Sequence, residues 1–415
     1  MQITDIRTAV VAANFDWTFV RVYADDGTYG TGEAFMAPAL PALIRAYRPL
    51  LLGEDPLDVD RLYQRLRWAT SYDGGGGFSY HAISGIETAL LDLAGKAMGV
   101  PVHQLLGGRH RDRVRIYADC HAGDGLESLG PMLERRDVPW LAGTSAANVG
   151  TTLFDTSADV HGEAFEPAAY AQRAAEAAAA GFTMLKFDLD VPTPHGDVTV
   201  AGRLSDAQVA HVVELARAAC AAVPDQVEVG FDLHWRYDVE TAVRIARGLD
   251  GSGAMFLEDP VPPDNVDALA SVQRRSPIPI SSGENWYTRQ GFRRALELRA
   301  IDFAAPDLQK VGGLLEGRRI ADLAASHGIS LLPHCIASPL GVMASAQLCA
   351  AVPNAIALEF HALHVPCFDE LLGDRTEPLI VDGHVNVTDA PGLGVELDDD
   401  ALHRFAKPGE SVFEA

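Results

Sequence analysis

Six residues able to do acid–base or metal chemistry recur along the second half of the chain at nearly one interval. They are Asp232, Glu258, Glu284, Asp307, His334 and Glu359, spaced 26, 26, 23, 27 and 25 residues apart. Each closes a short apolar run, in GFDLH, LEDP, SGEN, APD, LLPH and ALEF. Asp232, Glu258 and Glu284 make an oxygen donor set of the kind Mg²⁺ prefers, with positions left for water or substrate. Brought together without a cation, three carboxylates would repel one another and resist ionisation. Any one alone would read as a solvated acid of an acidic protein. Three at one spacing, each in a compact motif, point to a metal.

The other residues fit around that centre. An aspartate that accepts from one imidazole nitrogen fixes the tautomer and raises the basicity of the other, so Asp307 and His334 make a candidate general base. Lys186 and Asp188, in LKFDLD, alternate on one strand face. Lys186 could neutralise a substrate carboxylate, and Asp188 could bond a hydroxyl or steady the lysine. His234 follows Asp232 by two and shares its face, a candidate acid. Glu359 could meet the substrate if kept protonated by its neighbours. Trp286 is a candidate substrate contact. Tyr287, His121 and His361 are weaker pocket-wall candidates.

Repeated βα units would bring these positions together. Apolar runs at 114–118, 183–190, 227–234, 254–260, 278–284, 301–307, 329–334 and 355–360 read as strands. Helical patterns such as DAQVAHVVELARAACAAV and LLEGRRIADLAASHG lie between most of them. Eight such units predict an α/β fold, a (β/α)8 barrel, whose strand ends meet at one face where active sites lie. Before it, residues 17–35 alternate about Asp26-Gly27, a hairpin signal. Ile83, Ile86, Leu90 and Leu93 mark a helix face that stops at Gly99 and Pro101. This divides the chain into an α+β unit over 1–113, a barrel over 114–366 and a tail over 367–415 that packs back on the first unit. The Gly-, Ser- and Asp-rich stretch 124–165 is too long for a plain connection and reads as a lid or lobe.

The composition narrows the field. The 415 residues are 48% hydrophobic and 22% charged, enough apolar content for a large core. A net charge of −24 disfavours nucleic acid and anionic membranes as partners. No apolar run of about 18 residues is present to span a bilayer. Five scattered cysteines without CxxC spacing suit free thiols. The start, MQITDIRTAVV, lacks a signal-peptide core, and a cytoplasmic protein is the expectation. The glycine run at 74–77 lacks the Lys-Ser/Thr of a phosphate loop.

With these motifs in place, the chain resembles the enolase superfamily, mandelate racemase-like subgroup, over nearly its whole length. ETALLDLAGKAMGVPVHQLLGG is similar to the family's capping-domain signature, and LKFD, GFDLH, LEDP, SGEN, APDLQKVGG, LLPH and ALEF follow in the family's order. The resemblance implies removal of the proton α to a carboxylate to give an enediolate. It implies Mg²⁺ on Asp232, Glu258 and Glu284, His334 with Asp307 as base, and Glu359 at the substrate carboxylate. Residues 1–113 with the tail would be the capping domain that closes the barrel mouth, and a homo-oligomer is implied. The racemases' Lys-x-Lys is broken here by Asp188, which argues against a two-base racemase. The Asp232–His234 pair instead resembles acid-sugar dehydratases of the subgroup, in which this histidine protonates a departing hydroxyl. The expected partner is a small acid sugar, and the expected product a 2-keto-3-deoxy acid. Epimerisation or cycloisomerisation through the same enediolate is the alternative, and a non-catalytic binding or structural module a remoter one.

Overall fold

Asp26 and Gly27 turn the chain between antiparallel strands: Gly27 has φ +86°, and Asp26 accepts the Thr28 N–H at 2.9 Å. The turn helps build a three-stranded sheet of β1 (Ile3–Ala12), β2 (Asp16–Ala24) and β3 (Tyr29–Ala34). Helices α1 (Leu40–Tyr47), α2 (Val59–Ala69) and α3 (Phe78–Met98) cover it. The computed structural model describes residues 1–120, 165–195, 202–363, 365, 367–373 and 375–414. His121 and residues 124–164 of the lid-like stretch lie outside the described residues.

Helix α3 differs from its amphipathic pattern. Every residue from Ser79 to Gly95 is buried, because the helix lies between the small sheet and the barrel. Glycines permit the close approach: a Cβ on Gly32 of β3 would lie 2.3 Å from the Gly85 carbonyl oxygen. The buried polar residues of α3 bond across to other segments. Ser84 accepts from Gly312 N–H, Glu87 from Leu314 and Leu315, and Asp92 from Thr31 and Leu393. Gly99, in the left-handed region at φ +70°, ends the helix.

After the short α4 (Val102–Leu105), parallel strands and helices alternate: β4 (Arg113–Asp119), α5 (Pro167–Ala179), β5 (Met184–Asp188), α6 (Asp206–Ala221), β6 (Glu228–Asp232), α7 (Val239–Gly248), β7 (Ala254–Glu258), α8 (Val266–Gln273), β8 (Ile280–Ser282), α9 (Thr288–Glu297), β9 (Phe303–Ala304), α10 (Leu314–Ser326), β10 (Ser330–Leu331), α11 (Pro339–Ala351) and β11 (Leu358–Phe360). Side chains of Ser205, Asp238, Asn265 and Ser338 cap the starts of α6, α7, α8 and α11. Seven strands pair in order from β4 to β10, and the eighth, β11, pairs β4 on its other side. A bridge between Leu331 and Ala355 closes the ring. The barrel register sets Asp188 beside Asp232, Asp232 beside Glu258, Glu258 beside Ser281, and Asp119 beside Lys186.

The tail carries α12 (Cys367–Glu370), the hairpin β12 (Ile380–Val381) and β13 (His384–Asn386), and α13 (Asp399–Arg404). It packs in two places. Strand β13 pairs antiparallel with β4 of the barrel, whereas Lys407 and Phe413 donate backbone bonds to Val10 and Thr8 of β1. Cys120, Cys220, Cys335, Cys349 and Cys367 are free thiols. No described helix is long and apolar enough to cross a membrane.

Candidate active site

Asp232 ends β6, Glu258 ends β7, and Glu284 lies two residues beyond β8. All three are buried, and one carboxylate oxygen from each lies within 4.8 Å of the others. Both Glu258 oxygens are buried without a hydrogen-bond partner among the described residues. Leaving a buried carboxylate so poorly solvated is costly. Burial pushes its pKa well above the usual range, with Asp232 and Glu359 adding to the rise against the pull of Lys186. Lys186 sits at the centre, its Nζ 2.6 Å from Glu359, 2.8 Å from Asp232, 3.7 Å from Glu258 and 3.9 Å from Asp119. Burial also acts to raise the Asp232 pKa, but the charges of His234 and Lys186 outweigh it and hold the group below the ordinary range. One lysine faces four carboxylates. The excess acid and the unused Glu258 oxygens fit a divalent cation held by Asp232, Glu258 and Glu284.

His334, three residues past β10, meets Asp307, three residues past β9. The ring Nδ1–H donates to Asp307 Oδ2 at 2.7 Å, and the other Asp307 oxygen accepts Gln309 N–H at 2.8 Å. That leaves Nε2 facing Glu284 Oε2 at 3.2 Å and Glu359 Oε2 at 3.9 Å. Burial draws the His334 pKa down, but Glu284, Glu359 and Asp307 draw it up further, to about 10 in the metal-free protein. A cation on Glu284 would cancel part of that pull and return the ring toward a usable base. Glu359 accepts from Cys335 N–H at 3.0 Å and bridges the two halves of the site.

Across the trio, His234 Nε2 lies 3.6 Å from Asp232 Oδ2. Its Nδ1 is 3.0 Å from Asp190 and 3.8 Å from Asp188. Asp188 therefore lies beside this ring. Trp286 is buried, its indole N–H donates to the Pro263 carbonyl at 2.9 Å, and its ring packs edge-on against Phe292. Its only polar group is thus engaged within the protein. Tyr287 hydroxyl pairs with His81 at 3.1 Å, and Phe35 of the small domain lies against both His81 and His334. His361 Nε2 lies 3.3 Å from Asp119, and Asn14 donates to the His361 carbonyl at 3.1 Å.

Several of these partners stand outside the evenly spaced series of strand-end residues. Asp119 ends β4 but lies outside the series that runs from Asp232 to Glu359. Asp190 is visible as the third member of the alternation Lys186, Asp188, Asp190 in LKFDLD. Phe35 and His81 carry no local signal, because only the docking of the small domain brings them to His334.

Comparisons with known proteins bear on the fold and the family. Residues 6–107 match the family model described as mandelate racemase / muconate lactonizing enzyme, N-terminal domain, and residues 169–401 match enolase C-terminal domain-like. D-xylonate dehydratase of Haloferax volcanii is 39% identical over 414 residues, covering 100% of this chain and 91% of that protein. D-galactarolactone cycloisomerase of Agrobacterium fabrum is 31% identical, covering 98% of this chain and 100% of that protein. A solved mandelate racemase/muconate lactonizing enzyme-like protein from Rubrobacter xylanophilus superposes with a TM-score of 0.87 at 38% identity, covering 100% of this chain and 99% of that one.

Proposed function

The chain belongs to the enolase superfamily, in its mandelate racemase/muconate lactonizing group, and on that premise we propose that it is a Mg²⁺-dependent dehydratase of an aldonic acid, with D-xylonate the first candidate. One observation carries the reading. Two histidines face one buried carboxylate trio from different strands, His334 Nε2 at 3.2 Å from Glu284 and His234 Nε2 at 3.6 Å from Asp232. A base and an acid on one centre are what elimination of water requires.

Asp232, Glu258 and Glu284 would hold Mg²⁺, which when bound would supply positive charge to offset the negative charge that develops when C2 loses its proton. His334 Nε2 takes that proton, while Asp307 holds the ring by its other nitrogen. The Lys186 ammonium meets the charge on the carboxylate side, and Glu359 bounds the same side. His234 gives a proton to the 3-hydroxyl, which leaves as water with the C3–O electron pair. The C2 electrons form the C2–C3 double bond, and the enol rearranges to a 2-keto-3-deoxy acid. The buried setting strengthens each of these charge interactions.

The test is to incubate the Mg²⁺-loaded enzyme with D-xylonate and a panel of aldonic and aldaric acids, and to assay 2-keto acid. Product is expected from at least one, and His334→Asn should lower turnover by at least about a thousandfold, near the range for removing a general base. The sequence relationship to a cycloisomerase favours a second reading, isomerisation through the same first step. Loss of the C2 proton without keto acid would select it.

A further inference from the structure

The mechanism above needs His234 to present one particular nitrogen to the departing hydroxyl, and the surroundings of that ring say how this is done. His234 sits just past β6 with φ +39°, and Trp235 follows at φ +53°. Two consecutive non-glycine residues in the left-handed region are a strained arrangement that the surroundings must hold. Two bonds hold the bend: His234 N–H donates to Asp232 at 2.8 Å and Trp235 N–H to the Asp259 carbonyl at 2.6 Å. The bend sets the backbone, and side-chain contacts set the ring. Among them is a hydrogen bond with Asp190. Its Oδ1 lies 3.0 Å from His234 Nδ1, and its Oδ2 lies 3.6 Å from Arg236 Nε, at ion-pair distance but too long for a hydrogen bond. The Asp190 segment is itself fixed, because Leu189 N–H bonds the Asp232 carbonyl at 2.8 Å and Tyr237 hydroxyl bonds the Leu189 carbonyl at 2.7 Å.

Resting on the dehydratase reading, we propose that Asp190 is the positioning residue of the acid: it accepts the Nδ1–H of His234 and so turns Nε2 toward the reacting C3–O bond. The arrangement repeats, on the other side of the trio, what Asp307 does for His334 at 2.7 Å. Donor atoms of Asp188, Asp190 and His234 also lie within 4.8 Å of one another, a spacing open to a cation. The 3.0 Å Nδ1–Oδ1 contact is a hydrogen bond that such a cation would have to displace.

Asp190→Asn separates this role from a structural one. In the Mg²⁺-loaded enzyme it should lower kcat for dehydration by about 10–100-fold, the usual effect of removing a carboxylate that orients a functional histidine. KM and the exchange of the substrate C2 proton for solvent deuterium should stay within about threefold, because His334 is untouched. Elimination from the 3-fluoro analogue, whose leaving fluoride needs no proton, should also persist. Asp190→Glu should recover part of the lost rate. Equal loss of exchange, dehydration and fluoride elimination, or an unchanged kcat, would overturn the proposal. A second readout does not depend on turnover. The downfield imidazole N–H proton resonance that disappears in His234→Asn should also disappear in Asp190→Asn and persist in Asp188→Asn. Its survival in Asp190→Asn overturns the pairing even if no acid sugar is dehydrated, whereas its loss alongside an inactive wild-type enzyme upholds the pairing and rejects the dehydratase reading.

Discussion

Glu258 bears most directly on the proposed cation: both of its oxygens are buried and, among the described residues, lack hydrogen-bond partners. Glu258→Gln should weaken Mg²⁺ binding, followed by calorimetry, by at least about tenfold, since it removes a charged ligand from an oxygen site. The folded apoprotein should be no less stable than wild type, because an uncompensated buried acid has gone. Asp232, Glu258 and Glu284 were legible in the sequence because each sits at the end of one βα unit. Asp190 and Asp119 were legible only as letters beside residues already singled out. What gives them meaning is contact with His234 and with His361, and those contacts belong to the assembled barrel.

At the scale of elements, the apolar runs located all eight barrel strands, but the hydrogen-bonded ladders are shorter. The run at 301–307 yields only Phe303–Ala304, and the run at 329–334 only Ser330–Leu331. Of the candidate site residues, Glu284, Asp307 and His334 lie just beyond the ladders, whereas Asp232, Glu258 and Glu359 lie within them, and all stand at the strand ends that form the barrel mouth. Helix α3 was readable as a helix but not as one buried all round, because its second face is covered by segments remote in sequence. Two consequences follow for that helix. Gly32→Ala would push a Cβ to within 2.3 Å of the Gly85 carbonyl, so it should lower stability by about 1–3 kcal/mol, read as a lower urea midpoint. Glu87, buried at the start of α10, is pushed by its burial up to about 8 against the bonds it accepts from Leu314 and Leu315. Between the ordinary carboxylate range and pH 8, the folded chain then keeps a proton that the unfolded chain has released. Its contribution to stability is therefore greatest in acid and is lost as pH rises through about 8, by at most about 5 kcal/mol. Glu87→Gln removes that slope, so wild type should lose ground to the variant in urea midpoint from pH 5 to pH 8. A gap that widens in favour of wild type would contradict it.

Over the whole molecule, 57 acidic residues face 33 lysines and arginines, and only four of those are lysines: Lys96, Lys186, Lys310 and Lys407. A net charge of −24 repels itself, and salt screens that repulsion over a Debye length of about 8 Å at 0.15 M. Raising KCl from about 0.1 to 1 M should raise the melting temperature by a few degrees, and a fall would show that surface ion pairs such as Arg275–Glu240 outweigh the net charge. The same field surrounds the proposed substrate, itself an anion, so on that reading its binding depends on the local positive charge of Lys186 and of a bound cation rather than on the surface. The small domain contributes by docking, through Phe35 against His334 and the backbone bonds from the tail to β1. The most direct measurement is proton NMR of D-xylonate and the aldonate panel with Mg²⁺-loaded enzyme in D₂O. The expected result is a 2-keto-3-deoxy acid carrying one solvent deuterium at C3, absent after chelation and restored by Mg²⁺. An untouched C2 proton across the panel, or product that persists after exhaustive chelation, would contradict the account.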